Sequence, residues 1–234
     1  MSLIIGIYVP TGIVISGDSR TTGTIQEQEL NPQVVGQNIT FQTNIKLSDS
    51  TEKVFKLFDR FGVATFGDAQ INNLPIAHYV EQFEAVNNLI PPATTVDLVI
   101  LLLEYLRELN PNLRTGLIVA GNDNNTPHVY GVDIFGNTWT RQNIIADTQT
   151  ILYGIVRGGD TDIVNRLLNN QRLLPPFEVM SLQDAVDFSR HLIRDTIDQM
   201  RFEPKFPTVG GEIDTLVITN KSVLFLQHKS IKCI

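Results

Sequence analysis

MSLIIGIYVPTGIVISGDSRTT, residues 1–22, is the stretch on which the reading of the whole chain turns. Leu3, Ile5, Ile7 and Val9 share one face of an extended segment, and Ile4, Gly6 and Tyr8 share the other. Pro10-Thr11-Gly12 supplies a turn and Ile13-Val14-Ile15 starts a second strand, so the stretch predicts a β-hairpin. No polar leader precedes the first strand, and the expectation is that the chain begins inside the fold. Ser2 then lies at the lip of the sheet, with Asp18 and Arg20 at the end of the returning strand. With Met1 removed, Ser2 carries a hydroxyl and a free amine on one residue, a pairing that can serve as nucleophile and base together.

The rest of the composition narrows the classes. The chain has 234 residues, 42% hydrophobic and 18% charged, and no linker interrupts it, which predicts one domain over 1–234 with a sizeable core. Net charge is −7 and no run of Lys and Arg offers a phosphate footprint, which argues against a nucleic-acid partner. The single cysteine, Cys233, excludes an internal disulfide, fits a reducing compartment and reads as an incidental terminal thiol. A charged segment followed by a small-residue cleavage site is missing from the N-terminus, so no secretory signal is expected. The apolar run Leu98–Leu103 falls far short of the about 20 residues that a bilayer requires. A cytoplasmic protein without a membrane segment is the expectation. His78, His128, His191 and His228 are scattered without ligand spacing, and neither a metal nor a cofactor is expected.

Gly23 to Asp49 is rich in Gln, Asn and Thr and poor in apolar periodicity, which fits a long loop or a poorly packed β-excursion. Glu52 to Phe58 alternates charge and hydrophobe as a strand does, Asp59-Arg60 turns, and Phe61 to Phe66 forms the next strand. Apolar positions at Ile71, Leu74, Ile76, Ala77, Val80 and Phe83 predict a helix over Asp68 to about Val86, with Pro75 ill-placed in its interior. A second helix, capped by Thr94 or Thr95, runs to about Leu109 and is apolar nearly all round, which predicts burial. Strands follow at 115–120, 127–132, 137–139 and 150–153, joined by connections too short for crossovers, hence an antiparallel meander. Gly158-Gly159-Asp160 opens a third helix with Asp160 as its N-cap. Ser181 and Asp184 resemble a capping box ahead of the stripe Leu182, Ala185, Val186, Leu192, Ile193, Ile197 and Met200. Strands at 213–218 and 223–226 close the chain. The order of strands, two helices, strands, two helices and strands predicts an α+β fold, a four-layer αββα sandwich of two antiparallel sheets flanked by helix pairs. No short-period internal repeat is visible.

Four blocks resemble one family. Gly6 with Gly12-Ile13-Val14-Ile15-Ser16-Gly17-Asp18-Ser19-Arg20-Thr21-Thr22-Gly23 is similar to the opening strand pair of proteasome β-type subunits and their bacterial relatives, members of the N-terminal-nucleophile hydrolase superfamily. Lys53-Val54-Phe55-Lys56-Leu57 resembles the strand that begins with that family's active-site lysine. Gly62-Val63-Ala64-Thr65-Phe66-Gly67-Asp68-Ala69 resembles its glycine-bearing strand end. Val209-Gly210-Gly211-Glu212-Ile213-Asp214 resembles its late Gly-Gly motif. The resemblance implies Ser2 as the nucleophile, sixteen positions before Asp18 as in the family, where the residue is usually Thr. It implies Lys53 as the buried lysine and Gly67 as the oxyanion-hole glycine. Each residue also has a plainer reading: Ser2 as a common second residue, Asp18 as a turn residue, Lys53 as a strand-edge charge, Gly67 as a glycine that starts a helix.

The implied activity is hydrolysis of peptide bonds in unfolded polypeptides by a subunit of a self-assembled ring. The implied partners are identical subunits and an ATP-dependent unfoldase. The alternatives are a catalytically silent structural ring subunit of the same fold and an amide hydrolase for small molecules. Three departures from the family pattern stand out. The connection between Asp18 and Lys53 is longer, so 23–49 reads as an insertion beside the cleft. The family's supporting Asp and Ser fall on Phe206 and Val209, and a further Ser falls near Gly154 or Ile155, leaving Thr208 or Asp198 to replace them. And while Met1 is attached, the Ser2 nitrogen is an amide without a basic lone pair.

Overall fold

The computed structural model describes residues 2–30, 38–169 and 174–229, with the backbone alone at 27–30 and 38–39. Met1 and Cys233 lie outside the described residues. One five-stranded antiparallel sheet has the order β12-β1-β2-β13-β14, with β1 Leu3–Val9, β2 Gly12–Gly17, β12 Gly154–Gly159, β13 Asp214–Ile218 and β14 Val223–Gln227. The other has the order β11-β10-β9-β6-β5, with β5 Val54–Leu57, β6 Phe61–Gly67, β9 Thr115–Asp123, β10 Thr126–Asp133 and β11 Thr138–Arg141. Two strand pairs stand apart from both: β3 Thr21–Leu30 with β4 Asn38–Ser48, and β7 Gln70–Ile71 with β8 Leu74–Pro75. The helices among the described residues are α1 Ile76–Asn87, α2 Thr95–Leu109, α3 Asp162–Leu168 and α4 Leu182–Met200.

The alternation of the opening strand explains how it is held. Ile4 and Tyr8 enter a cluster with Ile13, Ile15, Leu216 and Ile218 of their own sheet and Val54, Ala64, Ile118 and Val129 of the other, so the two sheets meet face to face there. Leu3, Ile5, Ile7 and Val9 enter a second cluster with Ile163 and Val164 of α3 and Ala185, Val186, Leu192, Ile193 and Met200 of α4. β1 is therefore buried along its whole length. Each fully buried Ile or Leu contributes about 1.5–3 kcal/mol relative to exposure, which fixes the register of the strand beside Ser2. A third cluster joins Val63, Leu117, Val119 and Tyr130 to Tyr79, Val80 and Phe83 of α1 and Leu98, Val99, Leu102 and Leu106 of α2.

The expected four-layer αββα sandwich of two sheets flanked by helix pairs is corrected. The chain has 14 strands in four antiparallel sheets and 4 helices among the described residues, 39% strand against 25% helix, and is strand-dominated rather than a helix-flanked four-layer sandwich. Local chemistry accounts for the excess of strand. Of the two readings of the segment, a long loop or a poorly packed β-excursion, the second holds: its described residues up to Ser48 form β3 and β4. The helix expected from Asp68 starts only at Ile76, because Asn72 and Asn73 take left-handed φ values of 49° and 65° and turn β7 into β8. Pro75 then precedes the first turn, where its missing N–H leaves no partner unsatisfied.

Further along, residues 150–153 supply only an isolated bridge between Ile151 and Ile144. The strand is Gly154–Gly159, which pairs with β1 rather than extending the meander β9-β10-β11, and the helix expected there begins at Asp162. α2 has the capping box of Thr94 with Asp97, but burial all round is corrected, since Ile100 and Leu101 are 39% and 36% exposed. Ser181 caps α4 by accepting from the Asp184 N–H at 3.0 Å. No helix among the described residues is long and apolar enough to cross a membrane.

Candidate active site

Ser2 directly precedes β1 and is 6% exposed. Its carbonyl accepts from the Asp160 N–H at 2.7 Å, just past the end of β12. Gly159 makes this approach possible: its φ is +93°, and a Cβ there would fall on the Ser2 carbonyl oxygen. The start of the first strand is thus held by β12 on one side and β2 on the other.

Asp18, one residue past β2, is completely buried. Its Oδ1 accepts from the Leu3 N–H at 2.8 Å and from Lys53 Nζ at 2.7 Å. Its Oδ2 accepts from the N–H groups of Gly210 at 2.9 Å and Arg20 at 3.1 Å. The carboxylate therefore binds together the residue after Ser2, the end of β2 and the late Gly-Gly segment. Lys53, immediately before β5, is 3% exposed and also donates to the Arg20 carbonyl at 2.6 Å. Burial pushes the Lys53 ammonium below its ordinary pKa, the adjacent Asp18 carboxylate opposes that push, and the Lys229 and Arg20 charges add to it. Around this pair, Arg20 grips Asp49 through two bonds of 2.6 and 3.1 Å and donates to the Pro207 carbonyl at 3.3 Å. That grip lowers the Asp49 carboxyl to about 2, chiefly through the Arg20 hydrogen bonds.

Gly67 ends β6 with φ +105°, a conformation closed to side chains here because a Cβ would strike the Arg114 carbonyl oxygen. Beyond it, Asp68 is tied to Arg114, the residue before β9, by its N–H to the Arg114 carbonyl at 3.0 Å and by its carboxylate to the Arg114 N–H at 2.9 Å. Ser2 and Gly67 line one open cleft of about 480 Å³, together with Thr21, Gly23, Leu47 and Ala69. They also line a narrow crevice of about 10 Å³ that reaches Lys53 and Thr65, space on the scale of a single water.

The structure thus gathers Ser2, Asp18, Lys53 and Gly67 from four separate places in the sequence. The plainer reading of Lys53 as a solvated edge charge does not survive its burial, whereas Asp18, read alternatively as a turn residue that accepts backbone N–H bonds, does accept three of them. Of the two replacements considered for the supporting residues, Thr208 is near: its hydroxyl donates to Asp160 Oδ2 at 2.6 Å. Asp198 is not; it is 62% exposed on α4 and faces Arg201. Phe206 and Val209 bring no polar side-chain atom, and Gly154 and Ile155 pair within the sheet opposite Tyr8 and Ile7.

Sequence reasoning missed Asp160 as a neighbour of Ser2, having read it as an N-cap. Thr161 precedes the first turn of α3 instead, and the Asp160 N–H is engaged with Ser2. It also missed a second ion pair, between half-buried Lys229 and buried Asp214. Lys229 also donates to the Ser19 hydroxyl at 2.9 Å, and that hydroxyl donates to the Glu212 carbonyl at 2.7 Å. The glycines at 158 and 159 were the available signal for Asp160; nothing local announced Lys229. No protein-family model matches the chain, and no curated protein matches it in sequence.

Proposed function

We propose that the protein is a peptidase of the proteasome-like, N-terminal-nucleophile kind, with Ser2 as its nucleophile once Met1 is removed. The observation that carries this reading is the buried Lys53–Asp18 pair, 2.7 Å apart, with Lys53 lining a crevice that Ser2 and Gly67 also line. Removal of Met1 turns the Ser2 amide into an amine with a pKa of roughly 7.7–8.0, and the Lys53 charge nearby favours its neutral form. The amine takes the proton from Ser2 Oγ, directly or through a water in the crevice, as Oγ bonds to the scissile carbonyl carbon. The Gly67 N–H stabilises the oxyanion. The ammonium then gives its proton to the leaving amine as the peptide C–N bond breaks. An ester on Ser2 remains, and water hydrolyses it by the same proton path.

In this reading identical subunits form a ring, the substrates are unfolded polypeptides delivered by an ATP-dependent unfoldase, and the compartment is the cytoplasm. A second reading, a structural ring subunit without activity, is favoured by the apolar side chains at Phe206 and Val209, where the family pattern supports the amine. One experiment separates the two. Intact mass gives the N-terminal residue, and a peptide β-lactone, which acylates an activated hydroxyl, gives the site of labelling. Labelling at Ser2 with peptide hydrolysis that falls at least about 10³-fold in Ser2→Ala is expected. Labelling at another residue, or hydrolysis indifferent to Ser2→Ala, refutes the peptidase.

A further inference from the structure

The β3–β4 ribbon is two-faced in a way its composition conceals. In its register Gly23 is opposite Ile45, Ile25 opposite Thr43 and Glu27 opposite Phe41. Because side chains alternate along a strand, Ile25, Phe41 and Ile45 lie on one face, which also carries Gly23, Thr43 and the Glu27 position, with Thr24, Gln26, Gln42, Asn44 and Lys46 on the other. Leu47 belongs to the apolar face as well: its Cδ1 lies 3.0 Å from where a Gly23 Cβ would stand. Ile25, Phe41 and Leu47 are 43%, 46% and 54% exposed.

Two features say what this face is for. First, it is continuous with the cleft, whose lining includes both Gly23 and Leu47 as well as Ser2. Second, its spacing is that of an extended chain. Leu47, Ile45 and Phe41 of β4 and Ile25 of β3 zigzag between the two strands, and their successive positions advance along the ribbon by about 7 Å, the distance between same-side residues of a strand. A ribbon of only two strands is marginal in water by itself, and a chain laid along its apolar face supplies the missing burial.

We propose that this face is a substrate track, on which alternate apolar side chains of an extended polypeptide dock while the chain passes to Ser2. The inference rests on the peptidase reading and adds a substrate class to it: segments with apolar residues at every second position.

Binding tests it apart from turnover. The probe is a fluorescent, unstructured peptide of about twelve residues, ~40 Å when extended, with Leu at alternate positions. Its anisotropy is read against the Ser2→Ala protein and against the same protein carrying Ile25→Glu and Phe41→Glu, both at exposed positions. The track predicts at least about tenfold weaker binding in the Glu variant, and a probe with Ser for Leu that binds both proteins equally weakly. Equal binding of the Leu probe to both proteins overturns it. So does a Glu variant that sediments as a smaller species yet binds the probe unchanged, since the face then belongs to a second copy of the chain. β-Lactone labelling of Ser2 in the otherwise unaltered protein keeps the two claims separate. Labelling without a Glu effect refutes the track alone, and a Glu effect without labelling refutes the peptidase alone.

Discussion

Removing the Asp18 carboxylate is expected to destabilise the protein more than removing the Lys53 ammonium. Lys53→Met leaves Asp18 with its three backbone donors, Leu3, Arg20 and Gly210. The cost is that of breaking a buried ion pair, about 3–5 kcal/mol, and the three amides that still solvate the carboxylate hold it near the lower figure. Asp18→Ala strands those same three N–H groups, each at about 1–3 kcal/mol. It also leaves Lys53 with the Arg20 carbonyl as its remaining acceptor. Lys53 can relieve its share by losing the proton that burial already loosens. The amides have no such escape.

The total for Asp18→Ala comes to about 5 kcal/mol or more, against about 3 kcal/mol for Lys53→Met. Domains are stable by only about 5–15 kcal/mol, so Asp18→Ala sits near the edge of folding. Urea unfolding followed by far-ultraviolet circular dichroism measures the order. The double variant is expected to be no less stable than Asp18→Ala, because it removes an unpaired buried charge. A Lys53→Met protein less stable than Asp18→Ala would refute the reasoning, since the cation and not the three amides would then dominate the node.

Two further substitutions probe the surroundings. Gly159→Ala places a methyl on the Ser2 carbonyl oxygen at φ +93°; a loss of at least about 2 kcal/mol is expected in urea unfolding, with β-lactone labelling of Ser2 falling alongside it. The Asp49 carboxyl, held at about 2 by Arg20, contributes stability that is full above its ordinary value of 3.8 and is lost as the pH falls through 2. Its side chain is one-third exposed, so screening reduces the contribution to about 1 kcal/mol; the stability gap between the wild type and Asp49→Asn should therefore narrow between pH 5 and pH 2.

What the sequence made legible follows the range of the interactions. The two faces of β1 are a local pattern with period two, and the structure uses both faces as that pattern divides them. The α4 cap and stripe are equally local. The ribbon was legible only as one of two alternatives, a poorly packed β-excursion beside a long loop, because its apolar residues are interspersed among Thr, Gln and Asn and its face is not covered by the chain's own core. β12 was hidden for another reason. Gly154-Ile155-Val156-Arg157-Gly158-Gly159 has three glycines, and what makes it a strand is pairing with β1, about 150 residues earlier. Within the site, Asp18, Lys53 and Gly67 were named from the family resemblance, whereas Asp160 was misassigned because its role lies in its backbone N–H, which no side-chain pattern reports.

The buried pair bears most directly on what the site does. A fold that needed only to fasten β1, β2 and the Gly210 segment could do so with Asp18 alone, since the three amides already saturate much of its carboxylate. An ammonium beside it is a poor way to add stability, because desolvating a cation offsets most of what the ion pair returns. Lys53 also has little of its own to hold in place, donating to Asp18 and to one backbone carbonyl. Its position has a consequence at the crevice that it shares with Ser2 and Gly67, where a fixed positive charge depresses the pKa of a neighbouring amine. A structural account assigns Lys53 the role of counter-ion to the buried Asp18 carboxylate, and the proposed nucleophile account adds an effect on the Ser2 amine. Lys53→Met, folded and with Asp18 still in place, is the variant in which the two accounts part.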